Sequence, residues 1–196
     1  MPSRSLQFPH GAIPTKFDGI EYRSRLEARW ASFMRKIGWH YTYEPLDGAG
    51  YIPDFIVYGD RPLFIEVKPA ITLAEYQQPV HKIDASGLAH DVLIVGVSPF
   101  LAAPGVRYGG EAAGWLGERS GFHNADPGDE SAWDYGEWIQ CEYCRTINVV
   151  HAIQSFHGRP CGHYDGDGYL GEPPWEVMRA RWDEASNEVK WRGSSA

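Results

Sequence analysis

Apolar positions along the chain fall into runs of two different periods. Leu26, Trp30, Phe33, Met34 and Ile37 recur three and four residues apart, behind Ser24 and Glu27 and ahead of Gly38. That spacing lines one face of a helix, and a serine followed three residues later by glutamate is the sequence form of a capping box. From Trp39 to Glu44, Tyr51 to Tyr58 and Leu63 to Lys68 the β-prone and aromatic residues cluster instead. Two turn-forming stretches separate them, Asp47-Gly48-Ala49-Gly50 and Gly59-Asp60-Arg61-Pro62. These read as three successive strands, the last two forming a hairpin that Pro69 ends. Residues 72–86 suit a second helix that Pro79 would break or kink. The run from Asp91 to Val97 is continuously apolar after its first residue, as in a buried central strand. Residues 101–137, rich in Gly, Ala and acids, read as a connector with a turn at Pro127-Gly128-Asp129-Glu130. Thr146 to Phe156 is β-prone, and Pro173 to Trp191 reads as an amphipathic helix using Trp175, Met178, Trp182 and Val189. Residues 1–15 lack periodicity and read as an arm.

A chain of 196 residues is long enough for one good core and a small appendage. Hydrophobic residues make up 43% and charged residues 22%, as in ordinary globular proteins. No apolar run reaches a membrane span and no signal-peptide core opens the chain, so a cytoplasmic protein is expected. The net charge of −8 argues at first against a nucleic-acid partner. It is unevenly spread: residues 1–70 sum to +1 and residues 71–196 to −9. Arg23, Arg25, Arg29, Arg35 and Lys36 lie close together in the first part. That suits cation-assisted contact with phosphates, while the acidic second half suits a protein partner.

Side chains alternate along a strand, so Glu66 and Lys68 share a face and Ile65 and Val67 take the other. Asp54, after Pro53, sits on the neighbouring strand among residues that would otherwise be core. Two carboxylates and a lysine in an apolar hairpin need partners, and a divalent cation is one that fits. The ordered set Glu27, Pro53-Asp54 and Glu66-Val67-Lys68 resembles the PD-(D/E)xK nucleases, the restriction-endonuclease-like superfamily. Within it the order is similar to that of Holliday-junction resolvases, transposon end-cleaving nucleases and small phage-encoded nucleases. The resemblance covers residues 16–100. It implies an α/β (α+β) fold whose core runs helix, three-strand meander, helix, strand.

It also implies a metal-dependent endonuclease of phage or mobile-element type, acting on DNA, with RNA as an open alternative. Asp54, Glu66 and the Val67 carbonyl would ligate Mg²⁺ or Mn²⁺, with Glu27 joining directly or through water. Lys68 would orient or deprotonate the attacking water. The alternative readings are a capping acid for Glu27 and a surface ion pair for Glu66–Lys68. Arg23, Arg25, Arg29, Gln78 and Lys82 are candidate nucleic-acid contacts, with plain solvation as the alternative. A non-catalytic nucleic-acid or protein adaptor with the same fold is the rival to the enzyme.

A second constellation lies further on. Cys141-Glu142-Tyr143-Cys144, then Cys161-Gly162-His163, has the spacing of a Cys₃His zinc site, and its three cysteines suggest metal rather than disulfides. Such a site is closed and structural, in a zinc-ribbon-like module over residues 138–172 followed by a helical segment over 173–196. His157 and His151 compete with His163 for the fourth ligand position.

Overall fold

The computed structural model describes residues 13–45, 51–119, 133–152, 157–163 and 170–190. Strands β1 (Thr15–Phe17) and β2 (Ile20–Tyr22) form a small antiparallel hairpin. Its turn, Asp18-Gly19, has positive φ at both residues (51° and 79°), the geometry that two-residue hairpin turns require. Strand structure therefore begins at the last residue assigned to the arm. Helix α1 (Arg25–Lys36) follows, capped by Ser24, whose side chain accepts from the Glu27 amide. Only this half of the anticipated capping box forms. The Glu27 carboxylate turns to the Ser24 and Tyr43 hydroxyls, not to the Ser24 amide.

Strands β3 (Tyr41–Tyr43), β4 (Phe55–Val57) and β5 (Leu63–Val67) then form an antiparallel meander. The expected second helix is split into α2 (Leu73–Gln77) and α3 (Val80–Ala85), with Pro79 at the break. Strand β6 (Val92–Val95) returns to pair parallel with β5. The second half adds β7 (Leu101–Ala102), β8 (Glu111–Gly117), β9 (Trp133–Cys141), β10 (Ile147–His151), β11 (Leu170–Gly171) and α4 (Trp175–Glu188).

All strands after the first hairpin join one nine-stranded sheet, ordered β10-β9-β8-β6-β5-β4-β3, with β11 on β9 and β7 on β8. Two expectations change. Residues 101–137 are more than a connector, because β8 is an interior strand with six of its seven residues buried. Its Gly and Ala content reflects close approach: a Cβ at Gly114 would collide with the Ile94 carbonyl of β6. The Cys- and His-bearing segment likewise continues the main sheet through β9 and β10. The turns expected at 47–50 and 127–130, most of the arm and Trp191 lie outside the described residues.

The sheet is covered on both faces. Leu63, Ile65 and Val67 pack with Trp30 and Phe33 of α1 and with Trp182 of α4. Phe64, Val92 and Ile94 face the other way, against Tyr76, Ile83, Trp115 and Trp133. This alternation makes the molecule a mixed α+β fold with helices on either side of the sheet. No helix among the described residues is long and apolar enough to cross a membrane.

One ionic group sits inside this frame. The Arg159 side chain is fully buried, pairing with Asp91 before β6 and with Glu118 after β8 (2.8 Å). Its backbone bonds Val149 of β10 in both directions (2.8 and 3.0 Å). Removing one member of such a group strands the other charges away from water. Arg159→Ala is expected to lose about 3–5 kcal/mol of stability in urea unfolding. A loss within ~0.5 kcal/mol, as for an ordinary surface substitution, would contradict the clamp.

Candidate active site and metal centre

Asp54 immediately precedes β4, and the register Phe55↔Ile65 places it one step on, across from Glu66 near the end of β5. Asp54, Glu66 and Glu27 are 5%, 6% and 8% exposed, so all three acids are buried. Each carboxylate oxygen has a protein partner. Asp54 Oδ2 accepts from the Val67 amide (2.7 Å), and Oδ1 accepts from Arg23 Nη2 (2.8 Å). Glu66 Oε2 accepts from the Tyr51 hydroxyl (2.9 Å), and Oε1 pairs with Lys68 Nζ (2.5 Å). Glu27 accepts from Ser24 Oγ (2.8 Å) and from the Tyr43 hydroxyl (2.5 Å).

Burial, reinforced by the neighbouring Glu66 and Glu27 carboxylates, raises the Asp54 carboxyl to about 7. The Val67 amide and Lys68 oppose the rise without cancelling it. Arg23 is 58% exposed, so water weakens its pull on the same acid. Burial, with Glu66 close by, likewise raises the Tyr51 phenol, which stays a donor across the physiological range.

Neighbouring residues draw the second helical segment into the site. Lys82 Nζ lies 5.9 Å from the centre of the Tyr51 ring. Gln78 lines a cleft of about 570 Å³ together with Lys68, Pro69, Ala70, Glu75 and Pro79. Arg29 is placed differently from the expectation: its guanidinium stacks 4.7 Å over the Trp182 ring of α4. Arg25 lies beside it at the start of α1. Two participants were not anticipated. Tyr51 read only as a strand residue. Glu44, which pairs with Arg23 Nε (2.8 Å), read only as a strand end. Its φ of 45° is a left-handed conformation uncommon outside glycine and a pointer that sequence alone does not carry.

The metal-ligand group of three or more acids, cysteines or histidines found among the described residues lies elsewhere. Cys141, Cys144, Cys161 and His163 bring their ligand atoms within 4.8 Å of one another and could hold a metal ion such as zinc. The acids Glu27, Asp54 and Glu66 are not drawn into a comparable cluster. His163 thus fills the position that His157 and His151 contested, with Nδ1 3.3 Å from Cys141 Sγ. The β9–β10 turn supplies the first knuckle, with the Arg145 amide on the Cys141 carbonyl (2.7 Å) and Arg145 at φ 62°. Asn148 Oδ1 accepts from the Cys161 amide (2.9 Å) and steadies the second.

The thiols differ electrostatically. Burial would raise Cys144, but its hydrogen bonding with Thr146, Cys141 and His163 outweighs it and brings the thiol down to about 6. Burial, with Cys141 and Cys144 adding to it, pushes Cys161 up to about 12. A divalent cation is the partner that lets crowded thiolates coexist.

No protein-family model, curated protein or solved structure matches the chain.

Two outcomes follow from this geometry. A carboxyl whose folded pKa is raised contributes stability that is fully present below the unfolded value, about 3.8, and lost as pH rises through the folded value, about 7. Without divalent ions, wild-type stability should therefore fall across that window relative to Asp54→Asn, as read by urea unfolding at several pH values. Parallel pH curves would refute it. The cysteine cluster should take up about one equivalent of Co²⁺ with thiolate charge-transfer absorption. Cys144→Ser should weaken uptake, and unchanged uptake would exclude the cluster.

Proposed function

We propose that this chain is a Mg²⁺- or Mn²⁺-dependent nuclease that hydrolyses DNA phosphodiester bonds internally, its core folded like a restriction endonuclease. The observation that carries this reading is Asp54. It is a buried carboxyl across the strand pair from Glu66, beside the Val67 amide and Lys68, with its proton affinity raised by burial and by the acids around it. Hard carboxylate oxygens in negative surroundings are the donor set that Mg²⁺ and Mn²⁺ favour. The element order helix, three-strand meander, helices and strand supports this reading, since the resemblance implies helix, three-strand meander, helix, strand.

Asp54, Glu66 and the Val67 carbonyl would hold the ion, with Glu27 completing the shell. When bound, the ion supplies charge neutralisation at phosphorus and an acidified water. Lys68 would orient the attacking water through Nζ and offset charge building on the phosphoryl oxygens. Water oxygen adds to phosphorus, one ester P–O bond breaks, and the proton that water loses is matched by one taken up by the leaving alkoxide. Tyr51 fixes the Glu66 carboxylate, and Gln78 and Lys82 line the approach along the cleft. The cysteine cluster takes structural Zn²⁺ in a closed shell and leaves catalysis to the acids. The acidic half of the chain offers a face for a protein partner.

One observation favours a second reading, a nucleic-acid or protein adaptor: all six oxygens of Glu27, Asp54 and Glu66 already have protein partners. Incubation of plasmid with Mg²⁺ or Mn²⁺ separates the two. The nuclease reading expects nicking or linearisation that falls at least about 100-fold in Asp54→Asn and Lys68→Ala. Metal-independent binding without turnover, or cleavage that persists in both variants, would reject it.

A further inference from the structure

We infer that Arg23 is the resident cation of the acidic site, holding the Asp54 oxygen that a divalent ion would take and giving it up when the ion enters. The inference rests on the nuclease reading above and concerns the control of that site. Arg23 immediately precedes the capping serine of α1, so its backbone is fixed while its side chain reaches over the strand ends. Nη2 meets Asp54 Oδ1 at 2.8 Å and Nε meets Glu44 Oε1 at 2.8 Å. The Arg23 amide donates to the Tyr43 hydroxyl (3.0 Å), which itself donates to Glu27. The guanidinium therefore touches two acids directly, and the Arg23 backbone reaches a third through one tyrosine.

The two sides of this contact are unequal. The Asp54 side chain is 7% exposed and its other oxygen is committed to the Val67 amide. Oδ1 is thus the oxygen left for a cation, and Arg23 is on it. The arginine side chain is 58% exposed, so it can leave at little desolvation cost. Glu44 gives it a holding point: the left-handed backbone there sets the carboxylate beside Nε while its amide bonds the Asp54 carbonyl (2.8 Å). An ion entering at Oδ1 frees Nη2 and leaves Nε on Glu44, so the planar fork faces outward with donors for a phosphate. Arg23 thereby neutralises the acids before ion and substrate arrive, and afterwards serves as a phosphate contact.

The test is calorimetric titration of Mn²⁺ into the full chain with its cysteine site first loaded with zinc, using Asp54→Asn as the baseline. Arg23→Gln is expected to bind Mn²⁺ about two- to fivefold more tightly than wild type, the size of one partly exposed ion pair removed from competition. Arg23→Lys, which keeps the charge without the fork, should fall between them. The same Arg23→Gln protein should bind a short duplex more weakly by fluorescence anisotropy in Ca²⁺. Equal or weaker Mn²⁺ binding by both folded Arg23 variants would overturn the role given to Arg23 and leave the nuclease reading standing. Absence of Mn²⁺ binding in wild type and variants alike would remove the ion site and the inference with it.

Discussion

The hydrogen bond from the Val67 amide to Asp54 Oδ2, 2.7 Å long, ties an acid that precedes β4 to the end of β5. Around it the chain must accommodate several carboxylates where water hardly reaches. It does so with a cation or hydroxyl on each: Arg23 on Asp54, Lys68 and Tyr51 on Glu66, Ser24 and Tyr43 on Glu27. A buried acid flanked by other acids is costly unless it stays protonated or gains a cation. Asp54 follows that rule: burial and its acidic neighbours raise its proton affinity.

The same strand pair is held at its other end. The Arg61 amide, in the β4–β5 turn, donates to the Pro160 carbonyl (3.2 Å), one residue before Cys161. Arg159 then fastens that segment to Asp91 and Glu118, just before β6 and just beyond β8. The cysteine cluster and the carboxylates thus sit at opposite ends of β4 and β5, joined by a sheet packed on both faces. Soft thiolates lie at one end and hard carboxylate oxygens at the other.

Much of this was legible in order rather than in detail. Helical spacing from Leu26 to Ile37, three β-prone runs and the Pro79 break each correspond to an element close to its expected place. The spacing of Cys141, Cys144, Cys161 and His163 was enough to name a group that the fold brings together. What escaped had physical causes. The glycines and alanines of β8 mimic a loop in composition, yet serve a crowded sheet interior where Ile94 and Trp133 press close. The Asp18-Gly19 turn joins strands of only three residues each, too short to show a period in the sequence. Tyr51, Glu44 and the Arg159 clamp depend on pairings across the fold, and their local sequence carries no periodicity that marks them.

The central claim, that Asp54 and Glu66 hold a hard divalent ion beside Val67, is tested most directly by paramagnetic broadening. Trace Mn²⁺ added to ¹⁵N-labelled, zinc-loaded protein should first erase the amide signals of Val67, Lys68 and Asp54, and Asp54→Asn should abolish the effect. Broadening that spares those amides, or that spreads over the acidic surface and persists in Asp54→Asn, would contradict the account.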